Sequence, residues 1–294
     1  MADSPGAEHA LDEEGVRDLL RAATPEHAAR PLRLFAEGWD NAIWRLGDDL
    51  VVRIPRRRLA ADLILHEQRA LESIGPALAA ESVRSPVPLV AGAPTDRFPW
   101  PWSVTPWIEG RTALGIPLAD NASWAGRLAS ALRSLHVPAP DDAPPNAFRG
   151  GPLALRDAAV RSRLALVPDA HALHEAWIRG LSAPVSIERV WIHGDLHPGN
   201  VIVDDDGLAA LIDFGDVTAG DPAYDLAAAW TLFDEEGRAL FRASTGDRYD
   251  DATWVRAKAW AASMALLLLT QSDDRPDYRR AGRRIAEEIA IGWV

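Results

Sequence analysis

His193-Gly194-Asp195-Leu196-His197-Pro198-Gly199-Asn200, with Asp213-Phe214-Gly215 following thirteen residues after Asn200, is the stretch on which every other reading of this chain depends. A carboxylate, an amide five residues on and a second carboxylate across a short hairpin are the groups that orient a hydroxyl and hold Mg²⁺ against nucleotide phosphates. In this reading Asp195 accepts a hydrogen bond from the attacking hydroxyl and takes its proton as the bond to phosphorus forms. Asn200 and Asp213 supply two hard oxygen ligands, one neutral and one charged, of the kind Mg²⁺ combines with phosphate oxygens and water. The apolar runs 201–203 and 208–212 flank Asp204-Asp205-Asp206-Gly207, whose turn chemistry predicts a hairpin that carries Asn200 and Asp213 to one end.

Composition narrows the alternatives. With 294 residues, 48% of them hydrophobic, the chain is long enough for two lobes around a large core. It has no cysteine, which excludes disulfides, thiolate nucleophiles and cysteine-ligated zinc. Residues 1–15 are acidic and lack the basic start and apolar run of a signal peptide, so a cytoplasmic location is expected. The apolar run 260–270 falls short of the roughly 20 residues needed to span a bilayer and reads as a core helix, with no membrane partner expected. A net charge of −12 argues against nucleic acid or an anionic membrane surface as partner and is compatible with a cationic small substrate. Of the 31 basic residues only Lys258 is lysine, so a phosphate-binding cation in the first half must be arginine.

The pattern changes near residue 110. Before it, strands are predicted over 32–36, 42–46, 50–54, 88–91 and 102–107, with Gly47-Asp48-Asp49 turning between the second and third. One helix, 59–74, interrupts them and is expected to end at Gly75-Pro76. Beyond Gly110, Trp124, Leu128, Ala131, Leu132 and Leu135 recur on one helical face, and Val137-Pro138 closes that helix. Residues 138–152, rich in Pro, Gly and Asp, read as a loop, with helices returning between 155 and 181 and from 222 to the end. The predicted architecture is α+β and bilobal, a small antiparallel sheet lobe over 1–109 and a larger, mainly helical lobe over 110–294 that carries the motif.

The segment 191–226, including Gly220-Asp221-Pro222-Ala223-Tyr224-Asp225-Leu226, resembles the aminoglycoside phosphotransferase family, distant relatives of protein kinases that share a broad group with the macrolide phosphotransferases. The similarity extends to Gly38-Trp39-Asp40-Asn41, to Val51 through Arg56 and to Trp102 through Gly110, and so covers most of the chain. The resemblance implies a protein-kinase-like fold in which Asp195 matches the catalytic Asp, Asn200 and Asp213 the metal ligands, and His193 the histidine that braces the loop. Gly38, Asp40 and Asn41 fall in the nucleotide phosphate loop between the first two strands, where backbone N–H groups would face phosphate oxygens. The loop lacks a GxGxxG pattern. Arg53 stands where kinases carry the lysine of the third strand, with Glu67 as its expected partner and Glu72 as the competitor. Arginine is permanently charged and forks to two oxygens, so it can clamp phosphate with a different geometry. A hinge is implied at 105–110, the Pro106 carbonyl and Ile108 amide bonding the purine. Asp225 resembles a residue that stabilises the catalytic loop.

Other residues invite two readings each. Trp100, Trp102 and Trp107 either wall the base pocket or pack the lobe core. Asp221 before Pro222 is read as a helix cap. Asp216 and His197 lie near the motif without a sign that they touch substrate. Asp234, Glu235, Glu236, Asp247, Asp250 and Asp251 either meet substrate amines or form a solvated face. Trp230, Phe233, Trp254 and Trp260 either line a macrolide site or pack the core. The expected activity is Mg²⁺-dependent transfer of the γ-phosphoryl of ATP or GTP to a hydroxyl of a small molecule, an aminoglycoside or macrolide-type antibiotic in the first instance. The alternatives are a metabolic kinase of choline, homoserine or a sugar, a nucleotide-binding pseudokinase, and a transition-metal hydrolase built on His193, Asp195 and His197.

Overall fold

A computed structural model describes residues 6–185, 189–272 and 275–292. Asp12 starts the first helix, α1 (Glu13–Ala23), by accepting the Gly15 N–H at 2.9 Å, and Glu13 and Glu14 complement the positive end of its dipole. Val16, Leu19 and Leu20 recur on one face of α1 and pack on the sheet that follows. That sheet comprises β1 (Leu32–Glu37), β2 (Asn41–Leu46), β3 (Leu50–Pro55), β4 (Val90–Gly92) and β5 (Trp102–Pro106). Its order is β1-β2-β3-β5-β4 and every pairing is antiparallel. Gly47, with φ +63°, closes the turn that sets Leu46 against Leu50.

Between β3 and β4 runs α2 (Arg58–Ala80), which passes through Gly75-Pro76 where the sequence predicts its end. Proline there removes one helical N–H bond, a cost of about 3 kcal/mol. Burial outweighs it. Gly75 lies so close to Val87 that an added Cβ would sit 2.5 Å from Cγ2, and Leu78, beyond the proline, is fully buried. The helix belongs to two cores: Ala61 packs with the small-lobe sheet, while Ala70, Leu71, Ile74 and Leu78 pack with the large lobe.

The large lobe holds β6 (Arg111–Thr112), α3 (Ala125–Leu135), α4 (Asp157–Leu164), α5 (His171–Ser182), β7 (Val190–Ile192), β8 (Val201–Asp204), β9 (Gly207–Leu211) and β10 (Thr218–Gly220), then α6 (Ala223–Leu226), α7 (Ala228–Thr231), α8 (Glu235–Ser244), α9 (Asp251–Gln271) and α10 (Pro276–Ala290). The face of α3 buries Leu128, Ala131, Leu132 and Leu135, as its spacing requires. Residues 138–152 form no helix or strand apart from a bridge between Pro138 and Val190. The run 260–270 lies inside α9, which packs between α5 and α10. Among the described residues no helix is long and apolar enough to cross a membrane. Positions 273–274 and 293–294 of the expected C-terminal helical stretch lie outside the described residues. Two small ribbons position the motif. The predicted hairpin is β8-β9, with Val201 opposite Leu211, and β7 pairs with β10, setting Ile192 opposite Thr218. The loops 193–200 and 212–217 are thereby brought side by side.

Candidate active site

The loop after β7 is held from below by one carboxylate. Asp225, fully buried on α6, accepts the His193 N–H at 2.6 Å and the Gly194 N–H at 3.1 Å, and is itself 3.2 Å from His136 Nε2. Gly194 has φ +80°, and a Cβ there would lie 2.3 Å from the Asp216 carbonyl oxygen, so no other residue fits. His193 joins the two loops. Its Nε2 bonds the Ile212 carbonyl at 3.0 Å, its Nδ1 accepts the Asp195 N–H at 3.2 Å, and its ring leans on Phe214 at 4.3 Å. The bracing expected of His193 and Asp225 is what these bonds do.

Asp195 sits at the tip of this loop. One carboxylate oxygen is 3.0 Å from Arg149 Nη2, and the other is 3.5 Å from His197 Nε2 and 3.3 Å from Asn200 Nδ2. Burial alone would raise its pKa, but the charges of His197 and Arg149 hold the carboxyl well below the usual carboxylate range. Asn200 ends the turn Pro198–Asn200 and also donates to the Asp195 carbonyl at 3.0 Å. Its carbonyl oxygen is thus the part left for other partners. Asp213 follows β9 in the left-handed region, φ +65°, a conformation a short polar side chain tolerates. Its side chain is 56% exposed, with Oδ1 3.6 Å from Arg53 Nη2.

Arg53, on β3, is buried and paired through Nη1 with Glu67 Oε1 of α2. Glu67, not Glu72, is the partner. Burial lowers the Arg53 pKa, but Glu67 and Asp213 outweigh it and raise the net value, so the cation is fixed. The other oxygen of Glu67 accepts the Phe214 N–H at 2.8 Å, which ties α2 to the residue after Asp213.

Two cavities flank the motif. One, of about 470 Å³, lies between the lobes and is lined by Arg53, Asn200 and Asp213, by Gly38, Asp40 and Asn41, and by Pro106, Trp107 and Ile108. Every residue that the sequence assigns to nucleotide or metal is on this wall except Glu67, which stands behind Arg53. One of them, Gly38, is engaged otherwise than expected, and Asp40 has a side-chain partner. The Gly38 N–H donates to the Asn41 carbonyl at 2.8 Å, closing the turn, and the Asp40 carboxylate accepts from Arg57 at 2.7 Å. The buried Asn41 Oδ1 has no partner among the described residues. At the other end Trp107 N–H donates to the Asp49 carbonyl at 2.7 Å, and the Ile108 N–H has no protein partner among the described residues. Trp107 stacks under Arg45, 3.8 Å from its ring, whereas Trp100 and Trp102 pack the small-lobe core.

The second cavity, of about 440 Å³, opens on the far side of Asp195 and His197. Asp216 and Arg149 line it too, although the sequence places neither in the site. Arg149 donates to Asp216 at 2.7 and 3.0 Å and to the Tyr224 hydroxyl at 2.8 Å. Trp260 lines this cavity, while Trp230, Phe233 and Trp254 are buried in the large-lobe core. None of the six acidic residues from 234 to 251 faces either cavity: Asp234 caps α8 and Asp250 caps α9. Asp221 accepts the Ala223 N–H at 3.0 Å as a cap does, and also pairs with Arg256 at 2.6 Å. Asn200 and Asp213 place a neutral and a charged hard oxygen on one wall, a donor set that fits Mg²⁺ completed by phosphate and water. Among the described residues no group of three His, Cys, Asp or Glu side chains gathers as a transition-metal site would require.

The fold is bilobal and kinase-like, with the cleft between its lobes walled by amide and carboxylate side chains and backed by a buried Arg–Glu pair. Residues 31–260 match the APH phosphotransferase enzyme family, and the chain belongs to it. It is 30% identical over 239 residues to the homoserine kinase of Methylocella silvestris, covering 72% of this chain and 68% of that one. Among solved structures it resembles the GDP and kanamycin complex of APH(2″)-IIIa, with TM-score 0.67, 20% identity and coverage of 94% of this chain and 98% of that one. It also resembles the macrolide 2′-phosphotransferase MphH from Brachybacterium faecium, with TM-score 0.61, 21% identity and coverage of 92% and 98%.

Proposed function

We propose that the protein transfers the γ-phosphoryl group of ATP or GTP to a hydroxyl of a small molecule. The nucleotide occupies the cleft cavity, its base against Pro106 and Ile108 and its phosphates toward Arg53. Asn200 and Asp213 hold Mg²⁺, which supplies positive charge to the phosphate oxygens when bound. The acceptor enters the cavity beyond Asp195, whose ionised carboxylate accepts the hydroxyl proton as the oxygen attacks phosphorus in line. The working division of the chain is a nucleotide lobe over 1–109 and a lobe over 110–294 that carries Asp195 and the acceptor cavity.

One observation carries this reading. Asp195 lines the outer cavity, Asn200 lines the cleft, and the two side chains are in contact at 3.3 Å. A hydroxyl bound at the first and a phosphate at the second would be held by side chains that touch each other. Asp195→Asn keeps the shape and removes the proton acceptor, so transfer is expected to fall by about 10³-fold while nucleotide affinity stays near wild type; the melting temperature falls only by the lost pairing with Arg149 and His197. Undiminished transfer in that variant sinks the proposal, and EDTA is expected to abolish turnover reversibly.

The acceptor has two candidates. The likeness to enzymes described with kanamycin and as a macrolide phosphotransferase supports antibiotic inactivation. The relative named homoserine kinase, at higher identity, supports a metabolic alcohol.

A further inference from the structure

The outer cavity carries more positive than negative charge, although the chain as a whole is at −12. Its charged lining is Arg149, Arg156 and Arg163 against Asp195 and Asp216. Arg149 is consumed by the two carboxylates and the Tyr224 hydroxyl. The other two arginines are not neutralised. Arg156, ending the turn Leu153–Arg156, lies over the Phe148 ring at 5.2 Å, and Arg163 projects from α4 two turns on. Both are half-buried, and neither has an ion pair or a side-chain hydrogen bond among the described residues. Arg163 is pushed down by burial and then by the charge of Arg156, the opposite of what an acidic neighbour would do. The facing wall is apolar, formed by Trp260, Met264, Leu267 and Leu268 of α9.

Two half-buried guanidinium groups without acids repel a polycation, and each presents a planar fork that matches an oxyanion. We infer that the acceptor is an anionic alcohol: its carboxylate or phosphate faces Arg156 and Arg163, its apolar portion lies on α9, and its hydroxyl reaches Asp195. The inference rests on the phosphotransferase reading and deepens it by assigning the substrate's charge. It selects against an aminoglycoside, whose several ammonium groups would enter a cavity that already holds unneutralised cations.

The test is a panel of matched acceptors. 4-Hydroxybutyrate and 3-hydroxy acids of increasing apolar length are each compared with their methyl esters, glycerol 3-phosphate is compared with glycerol, and kanamycin and erythromycin complete the set. Phosphate transfer is followed by mass with wild type, Asp195→Asn and the double variant R156Q/R163Q. The expected result is an anion preference of at least tenfold in kcat/KM over the neutral partner, with the carboxylate and phosphate pairs showing which oxyanion fits. The double variant is expected to reduce that preference to about twofold, through KM. Equal use of the charged and neutral partners, or preferred Asp195-dependent transfer to kanamycin, overturns the inference and leaves the phosphotransferase reading intact. Calorimetric titration of the same pairs into wild type reads the charge preference without turnover. Tighter anion binding, lost in R156Q/R163Q, with no transfer to any acceptor keeps the anion preference of the cavity and counts against the phosphotransferase reading, and with it against the bound anion's being an acceptor. Equal or undetectable binding of both partners overturns the inference.

Discussion

At Arg53 a permanently charged fork replaces the usual lysine, and the structure shows what its retention demands. The pair with Glu67 is buried, so removing one member strands a charge at a cost of about 3–5 kcal/mol. Arg53→Ala is therefore expected to lower the melting temperature sharply as well as to weaken nucleotide binding. The double variant R53M/E67Q separates the two effects: the amide oxygen introduced by Glu67→Gln still accepts from the Phe214 N–H, so stability should return in large part, while nucleotide affinity measured by titration stays at least tenfold weaker. Affinity equal to wild type in the double variant removes Arg53 from the phosphate side. Asp195 makes a pH prediction. Its folded pKa is depressed, so its pairing stabilises the native state above the unfolded value of about 3.9 and is lost only as pH falls toward the lower folded value. Thermal melts between pH 5 and pH 2 should show wild type losing more stability than Asp195→Asn, and no acid limb of activity near pH 6 should belong to this carboxylate. Asp195, Asn200 and Asp213 were legible in the sequence because their spacing is a local property of one loop and one hairpin. Arg149 was not, because it lies in a Pro- and Gly-rich stretch without periodicity and meets Asp195 only through the tertiary fold.

Local pattern is strongest at the level of the element, and so are its failures. The strands of the small sheet and the hairpin β8-β9 were readable from apolar runs bounded by turns. The first helix carries local signals of its own, Asp12 before two glutamates and Val16, Leu19 and Leu20 at helical spacing. The end of α2 lies beyond the point that local signals predict. Gly75-Pro76 is a stop signal in isolation, and only the packing of Val87 and Leu78 makes continuation favourable. Helix propensity predicts that Gly75→Ala stabilises by about 1 kcal/mol. The 2.5 Å approach to Val87 opposes this with an overpacking cost of about 1–3 kcal/mol. Gly75→Ala is expected to be destabilising in denaturant titration, and Val87→Ala in the same chain should recover part of the loss. A stabilised single variant would show that Val87 moves aside freely.

Across the whole molecule, α2 is the member common to both cores, and it carries Glu67 at the point where the lobes face each other. Damage to one core should therefore be felt by the other. Leu71→Ala, in the large-lobe core, is expected to cost about 2–5 kcal/mol and to lower a single calorimetric transition. Two separated transitions would mean that the lobes unfold independently. Mg²⁺ with nucleotide at 100 times its Kd should raise that same transition by the equivalent of about 2.7 kcal/mol. The two-lobed organisation was legible because the residue pattern changes near position 110, whereas the sign of charge in the outer cavity was not, since Arg156 and Arg163 are brought opposite α9 only by folding. The presence of arginine at position 53 also reaches beyond energetics. Reagents that identify nucleotide sites by acylating a nearby amine would find no such target in this cleft, since the chain's one lysine is on α9, bonded to the Gly292 carbonyl. Surveys that count enzymes by such tagging would miss this protein, and dicarbonyl reagents selective for guanidines would be the ones to mark it.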